Sequence, residues 1–308
     1  MTRRVAVIGA GTIGASWAAY FLARGFAVSA YDPAPNSEAF ARRFIDNAWP
    51  TLEKLNVVRA SADRKFVEFC KDPAAAARGA EFVQECGPER EDIKIELFAA
   101  IEGGTSPETV IATSSSGLLI SRVSKKCRHP ERCVIGHPFN PPHLIPLVEV
   151  VGGKKTSPEA VYRAMTFYRE IGKNPIHIRK EVKGHVANRL QAALWREAIH
   201  LVNEGVVSVA DADAAIAYGP GLRWALMGPS LIFHLAGGEG GMRHFMDHIV
   251  AGPMQSWMDD LGKPRLNAKT KQKIIDGVAE EAAGRSIADL QRWRDRKLIE
   301  ILKVAGEP

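Results

Sequence analysis

A histidine and a glutamate flank a proline-rich turn in the sequence from Gly136 to Val150, which contains His137 and Glu149. Histidine changes its charge near neutral pH, so it can take the proton of a hydroxyl group. A carboxylate against one ring nitrogen would fix the tautomer and stabilise the imidazolium that forms. We therefore predict that His137 is a general base oriented by Glu149. A solvent-facing Glu149 on a strand remains the alternative interpretation.

A glycine pattern stands near the start of the chain, where Gly9-Ala10-Gly11-Thr12-Ile13-Gly14 follows the apolar run Val5–Ile8. Glycines at this spacing allow a tight turn, a close approach of backbone to phosphate, and close packing of helix on strand. The helix that follows offers free N–H groups to an anion. Asp32, after a second apolar run, would bind ribose hydroxyls and repel a 2′-phosphate. The pattern predicts a dinucleotide site that prefers NAD to NADP, although Asp32 could simply end a strand.

Hydroxyl side chains in Thr113–Ser116 follow another predicted strand. Such clusters are most often turn formers. At a strand end, however, one hydroxyl could bind a substrate oxygen. Asn188, on a later predicted helix, could reach the same cleft.

The composition indicates an ordinary soluble protein of 308 residues with 46% hydrophobic residues and a formal net charge of +6. Nucleic-acid and membrane partners are not expected, and a mild attraction for an anionic ligand is the simpler interpretation. The four cysteines lack metal-ligand spacing, so we expect reduced thiols and no metal. The apolar run after Arg3-Arg4 is too short for an export signal, which favours a cytoplasmic location.

Strands and helices are predicted to alternate up to about residue 183 and to give way to helices afterwards. The expected strands are Val5–Ile8, Ala27–Tyr31, Phe82–Glu85, Val110–Thr113, Cys133–Gly136, Leu147–Val151 and Ile176–Ile178. The expected helices include Ile13–Arg24, Asn36–Leu55, Asp63–Lys71, Arg90–Ile101, Pro158–Ile171 and His185–Val202, with a capping box at Ser208–Asp211. We predict a Rossmann-type α/β domain with a doubly wound parallel sheet over residues 1–183. An all-helical domain over residues 184–308 would bind substrate and form the dimer.

The motifs occur in an order that resembles the 3-hydroxyacyl-CoA dehydrogenase superfamily along nearly the whole chain. They are the glycine loop, Glu85–Lys94, Ser114–Ser116, Gly136–Pro141, Leu147–Val150 and Gly184–Arg189. The resemblance implies that His137 is the catalytic base with Glu149 as its partner, and that Ser116 and Asn188 hold the reacting oxygen. It implies that Glu89 and Lys94 are further NAD contacts, and that the protein is a homodimer.

Within the superfamily, residues 219–229 and 234–242 most resemble the L-carnitine dehydrogenases. The lambda-crystallin and L-gulonate dehydrogenase branch comes next. The segment before Phe82 is shorter and poorer in lysine than the helical hairpin that seats CoA in the CoA-using enzymes, which argues against CoA. Carnitine carries a quaternary cation, which aromatic faces bind, and a carboxylate, which suits arginine. Phe139, Trp224 and Arg223 supply these residue types, although Trp224 could be a core residue; Glu239 and His234 have no assigned role.

The resemblance therefore implies NAD-dependent oxidation of the 3-hydroxyl of L-carnitine to 3-dehydrocarnitine. L-gulonate, another short 3-hydroxy acid or a 3-hydroxyacyl-CoA is the alternative substrate. A non-enzymatic alternative is an NAD-binding structural protein of the crystallin kind.

Overall fold

The protein is described by a computed structural model that covers residues 3–305. Its contacts divide the chain into two compact units between Ala187 and Asn188, and each unit is described by itself. Within residues 3–305, no helix is both long and apolar enough to cross a lipid bilayer.

The first unit is built on one eight-stranded sheet with the strand order β3-β2-β1-β4-β5-β6-β7-β8. Its strands are β1 (Arg4–Ile8), β2 (Ala27–Tyr31), β3 (Val67–Phe69), β4 (Phe82–Glu85), β5 (Val110–Thr113), β6 (Cys133–Pro138), β7 (Leu147–Gly152) and β8 (Asn174–Ile178). The order reverses between β1 and β4, and ligands of open α/β sheets bind beyond the carboxyl ends of the strands at such a point. The glycine loop follows β1 and therefore lies at that position.

Helices cover both faces of this sheet, as expected for a doubly wound fold. They are α1 (Thr12–Ala23), α2 (Ser37–Lys54), α3 (Pro73–Ala77), α4 (Glu91–Glu102), α5 (Ile120–Val123) and α6 (Pro158–Glu170), with short 3₁₀ turns at Ser124–Lys126 and Pro130–Arg132. Neighbouring residues of one strand join opposite cores: Phe82 packs with Trp17 and Tyr168 in one core, while Val83 packs with Phe98 in the other. The alternation follows from the two-residue period of a strand.

Three local predictions differ from the structure. Asp63–Lys71 is not a helix: it contains β3, which pairs in parallel with β2 through Val28 and Val67. Strand β7 runs antiparallel to β6, because the connection of residues 139–146 is too short for the crossover that a parallel pair requires. Helix α7 begins at Ala187 rather than at His185, whose φ of 50° is left-handed.

The second unit is helical in all its regular structure among the described residues. Its helices are α7 (Ala187–Asn203, which begins at the division), α8 (Val209–Ala217), α9 (Pro220–Trp224), α10 (Pro229–Ala236), α11 (Gly241–His244), α12 (Gln255–Asp260), α13 (Ala268–Ala282) and α14 (Ile287–Ala305), with a 3₁₀ turn at Gly238–Gly240 and a π-helical segment at Phe245–Met254. The Ser208 side chain caps α8 by accepting the Asp211 N–H at 3.0 Å. The prediction of a Rossmann-type α/β unit followed by a helical unit is confirmed.

Candidate active site

The glycine loop joins β1 to α1 with the geometry that a dinucleotide requires. Gly9 has a φ of +97°, and a Cβ on Gly14 would lie 1.7 Å from the Gly9 carbonyl oxygen. A Cβ on Gly11 would meet no other atom within 4 Å, so the space beside this residue is open. Helix α1, which opens with Thr12 and Ile13, has neither a side-chain cap nor an acid in its first turn, so its N–H groups are free for an anion. The loop therefore fits a pyrophosphate.

Asp32, at the end of β2, supports the same loop. Its Oδ2 accepts the Ala10 N–H at 2.6 Å and its Oδ1 accepts the Ala34 N–H at 2.8 Å. It borders a cleft of about 880 Å³. Of the described residues that line this cleft, Asp32, Asp92 and Glu96 are acidic and none is Lys or Arg. A 2′-phosphate would meet negative charge here, so the cleft suits NAD better than NADP.

The two other predicted cofactor residues, Glu89 and Lys94, are hydrogen-bonded to other residues of the protein. Glu89 is exposed, and its Oε1 accepts the Ser115 hydroxyl at 2.7 Å and the Gly117 N–H at 2.9 Å. Lys94 is only 1% exposed, and its Nζ donates to both Glu85 oxygens at 2.8 Å and to the Gly87 carbonyl at 3.0 Å. The Lys94 amine is thus bonded to Glu85 and Gly87, and its contact with NAD stays a prediction.

Glu85 is a supporting residue that the sequence interpretation did not single out. It is fully buried, and besides Lys94 it accepts the Gly87 N–H at 2.6 Å and the Thr113 hydroxyl at 2.5 Å. A buried charge is stable only when it is paired and hydrogen-bonded. A carboxylate ending a strand, with a lysine nine residues later in a helix, was the available signal.

His137 and Glu149 face each other directly across the antiparallel pair β6 and β7. The Nδ1 of His137 lies 2.8 Å from Oε2 of Glu149, and the residues are 6% and 0% exposed. The other carboxylate oxygen, Oε1, accepts the N–H groups of Val186 at 2.9 Å and Ala187 at 2.8 Å. His137 is the second-last residue of β6, so the pair lies at the carboxyl end of that strand.

The Glu149 carboxylate is held in its charged form. Burial would raise its pKa, but the hydrogen bonds from His137 and from the Ala187 and Val186 N–H groups outweigh burial, so the pKa lies below its ordinary value. A carboxylate can only accept, so it requires a proton on Nδ1 of His137. The Nε2 of the same ring is then left with a lone pair and can act as a base.

Of the three serines that follow β5, Ser116 has the available hydroxyl. Ser114 accepts from the Gln84 amide at 2.8 Å, and Ser115 is 1% exposed and bonded to Glu89. Ser116 is exposed, and its hydroxyl has no hydrogen-bond partner among residues 3–305. It is therefore free to bind a ligand oxygen.

The remaining residues that were predicted to contact the substrate lie in different parts of the chain. The Phe139 ring lies edge-on to His137, with ring centroids 6.2 Å apart. Asn188 is the second residue of α7 and the first of the second unit. Arg223 and Trp224 end the short helix α9, and Trp224 is 37% exposed, so it is not a core residue within its unit.

His234 and Glu239 complete the set. His234 accepts the Met242 N–H at 3.0 Å through Nδ1, which is a structural role, and Glu239 lies in the Gly238–Gly240 turn.

Comparison with known proteins assigns this chain to a family. Residues 4–182 match the 3-hydroxyacyl-CoA dehydrogenase NAD-binding domain, and residues 184–277 match the C-terminal domain of the same family. The fold and site define an NAD-dependent hydroxy acid dehydrogenase. The chain belongs to the 3-hydroxyacyl-CoA dehydrogenase family.

Individual relatives are similar over nearly the whole chain. An L-carnitine dehydrogenase of Streptomyces coelicolor is 50% identical over 99% of this chain and 95% of its own length. One from Pseudomonas sp. is 46% identical over 98% of this chain and 93% of its own length. Among solved structures, an NAD⁺-dependent 5-formyl-3-hydroxy-2-methylpyridine 4-carboxylic acid 5-dehydrogenase has a TM-score of 0.84 at 30% identity and covers 99% of both chains.

Proposed function

We propose that this protein oxidises the 3-hydroxyl of L-carnitine to 3-dehydrocarnitine, with His137 receiving the hydroxyl proton. The observation that carries the chemistry is the buried contact of 2.8 Å between Nδ1 of His137 and Oε2 of Glu149. The substrate is supported by relatives named L-carnitine dehydrogenase that are 44–50% identical over at least 96% of this chain.

NAD bound at the glycine loop supplies the hydride acceptor. In this proposal, Nε2 of His137 takes the hydroxyl proton as the alcohol becomes a ketone, and the charge of Glu149 stabilises the imidazolium. In the same proposal, the Ser116 hydroxyl holds the reacting oxygen. Because His137 and Glu149 are both buried, water screens their interaction only weakly.

Carnitine carries a trimethylammonium group and a carboxylate, and each needs a binding partner in the protein. Trp224 is proposed to contact the trimethylammonium group, and the adjacent Arg223 the carboxylate. Replacing Arg223 by Gln should raise KM for L-carnitine about tenfold or more with a smaller change in kcat, because an ion pair formed in both ground and transition states is lost. An unchanged KM would remove Arg223 from the site.

A CoA thioester is disfavoured by the first unit itself. Between β2 and β3 the chain forms one helix, α2, and no helical hairpin of the kind that seats CoA.

A homodimer is proposed through the second unit, which exposes many large apolar side chains. Those that are 51–79% exposed include Leu226, Leu231, Leu235, Trp257, Trp293 and Val304. Exposed apolar area of this extent is typical of a surface that a partner covers. Light scattering coupled to size-exclusion chromatography should give twice the chain mass; a monomer at micromolar concentration would contradict the proposal.

The substrate is tested by following NADH absorbance with purified protein, NAD and a panel of alcohols. The panel contains L-carnitine, D-carnitine, L-gulonate, 3-hydroxybutyryl-CoA and the hydroxymethyl form of the pyridine compound above. L-carnitine should give the highest kcat/KM. Turnover of another member without L-carnitine turnover would overturn the substrate assignment, and no turnover of any member would favour the non-enzymatic alternative.

A further inference from the structure

His185 occupies an unusual position beside the His137–Glu149 pair. It is 2% exposed and adopts a left-handed φ of 50° two residues before α7 begins, immediately after Gly184 with a φ of 77°. Residues with a Cβ rarely adopt this conformation, and such strain persists only where the surroundings hold it.

The imidazole of His185 makes one hydrogen bond and leaves one nitrogen unpaired. Its Nε2 lies 2.9 Å from the Ser115 carbonyl oxygen, which can only accept, so Nε2 carries the proton and donates. Its Nδ1 is buried and has no hydrogen-bond partner among the described residues. A buried acceptor without a partner costs free energy. The hydrogen bond from His185 to Ser115 is thus kept although both the strained backbone and the unpaired Nδ1 lower the stability of the folded protein.

Three parts of the candidate site meet at this residue. Its Nε2 holds the backbone of Ser115, next to the free hydroxyl of Ser116. Its ring centroid lies 5.0 Å from that of His137. The two N–H groups that follow it in the chain, those of Val186 and Ala187, bind Oε1 of Glu149.

The ring is uncharged at neutral pH. Burial lowers the pKa of His185, the Ser115 carbonyl raises it by a smaller amount, and the neighbouring His137 lowers it further. A neutral neighbour adds no repulsion when His137 takes up a proton.

We propose that His185 is a positioning residue that holds the Ser114–Ser116 loop in register with the His137–Glu149 pair. The inference rests on the proposed dehydrogenase function of this site. It assigns His185 no contact with the reacting atoms: its donor fixes the loop, and its backbone conformation directs the following N–H groups to Glu149.

Two substitutions separate the ring from the strained backbone. His185→Gly removes the ring and accepts a positive φ without strain. His185→Gln keeps an N–H donor that can reach about the position of Nε2, while its Cβ keeps the strain at this φ. His129→Gly is the matched control, because the exposed side chain of His129 bonds only to Glu131 among the described residues.

The measurements are kcat and KM with whichever alcohol of the panel the wild-type protein oxidises, and the dissociation constant of NADH from its fluorescence. His185→Gly should lower kcat about 10- to 100-fold, because misplacement of about 1 Å has effects of this size. KM and NADH affinity should stay within about threefold, which is the split expected for a positioning role. His185→Gln should recover most of the lost kcat, and His129→Gly should match the wild type.

Hydrogen–deuterium exchange of residues 113–118 provides a readout that does not depend on turnover. His185→Gly should speed amide exchange in this segment, while His129→Gly should not. A kcat within twofold of wild type, or an unchanged exchange rate, would overturn the inference. If no alcohol of the panel is oxidised, the proposed function fails, and the exchange result alone decides the role of His185.

Discussion

Glu149 binds the backbone of Ala187 with one carboxylate oxygen while the other faces the imidazole of His137. The Ala187 N–H lies 2.8 Å from Oε1, and Nδ1 of His137 lies 2.8 Å from Oε2. The carboxylate therefore sets the tautomer of the candidate base and satisfies the first N–H groups of α7, which have no partner within the helix. A substitution at Glu149 should therefore affect both the tautomer of His137 and the start of α7.

Replacing Glu149 by Gln should lower kcat about 10²- to 10⁴-fold. The Gln carbonyl can still accept from Ala187, but its amide N–H would face Nδ1 of His137 and stabilise the wrong tautomer. NADH affinity, measured by fluorescence titration, should change much less, because the glycine loop is untouched. Glu131→Gln is the matched control, since Glu131 faces His129 in an exposed pair at 3.1 Å. Equal losses of turnover and NADH affinity would indicate a damaged fold instead.

A single methyl group should lower the melting temperature at one glycine of the cofactor loop and not at another. In Gly14→Ala the new Cβ would lie 1.7 Å from the Gly9 carbonyl oxygen, so α1 must shift and both the melting temperature and NADH affinity should fall. In Gly11→Ala the Cβ meets no protein atom within 4 Å, so the melting temperature should hold. NADH affinity should still fall about tenfold, because the methyl occupies the phosphate approach. Equal melting temperatures for the two variants would refute this account, and calorimetry checks it.

Asp32 should set the preference for NAD through its charge. Asp32→Asn keeps an oxygen that can accept from the loop but removes the repulsion of a 2′-phosphate. We expect kcat/KM for NAD to fall about tenfold and the NADP/NAD ratio to rise by a similar factor, the size of one charge-assisted hydrogen bond. Steady-state kinetics with both cofactors measures this. Asp46→Asn, an exposed acid on α2, should leave the ratio unchanged. An unchanged ratio in Asp32→Asn would place the preference elsewhere.

Local patterns predicted the parts of the structure that depend on neighbours in sequence. The glycine spacing located the β1–α1 loop, and the short link from His137 to Glu149 makes two strands adjacent, which brings the pair into register. The predicted helix at Asp63–Lys71 was wrong because its many charged residues favour helix locally, while Val67 pairs with Val28, a residue 39 positions earlier. Helical propensity carries no information on such a pairing.

Contacts that depend on burial were harder to predict from the sequence. Lys94 and Glu85 are both charged residues that a sequence places at the surface, yet they form a buried ion pair. His185 reads as part of a helix, but its left-handed backbone gives it a separate role. The residues that would bind the ends of carnitine come from resemblance, because no periodicity or spacing in residues 219–242 specifies a ligand.

The buried Lys173 should give the protein a stability that rises with pH. Its amine lies within hydrogen-bond distance of the Pro142 and Ile145 carbonyls and 3.7 Å from the centre of the Tyr20 ring. Burial, with a smaller contribution from the positive charge of Arg24, lowers its pKa well below the ordinary 10.5. Between the folded and unfolded pKa values the unfolded chain binds the extra proton, so the free energy of unfolding increases with pH, by up to about 1.4 kcal/mol per pH unit from this group. Urea titrations from pH 7 to 9.5 should show this slope in wild type and in the exposed control Lys125→Met, and a weaker slope in Lys173→Met. Parallel pH profiles for all three proteins would show that Lys173 keeps its proton on folding.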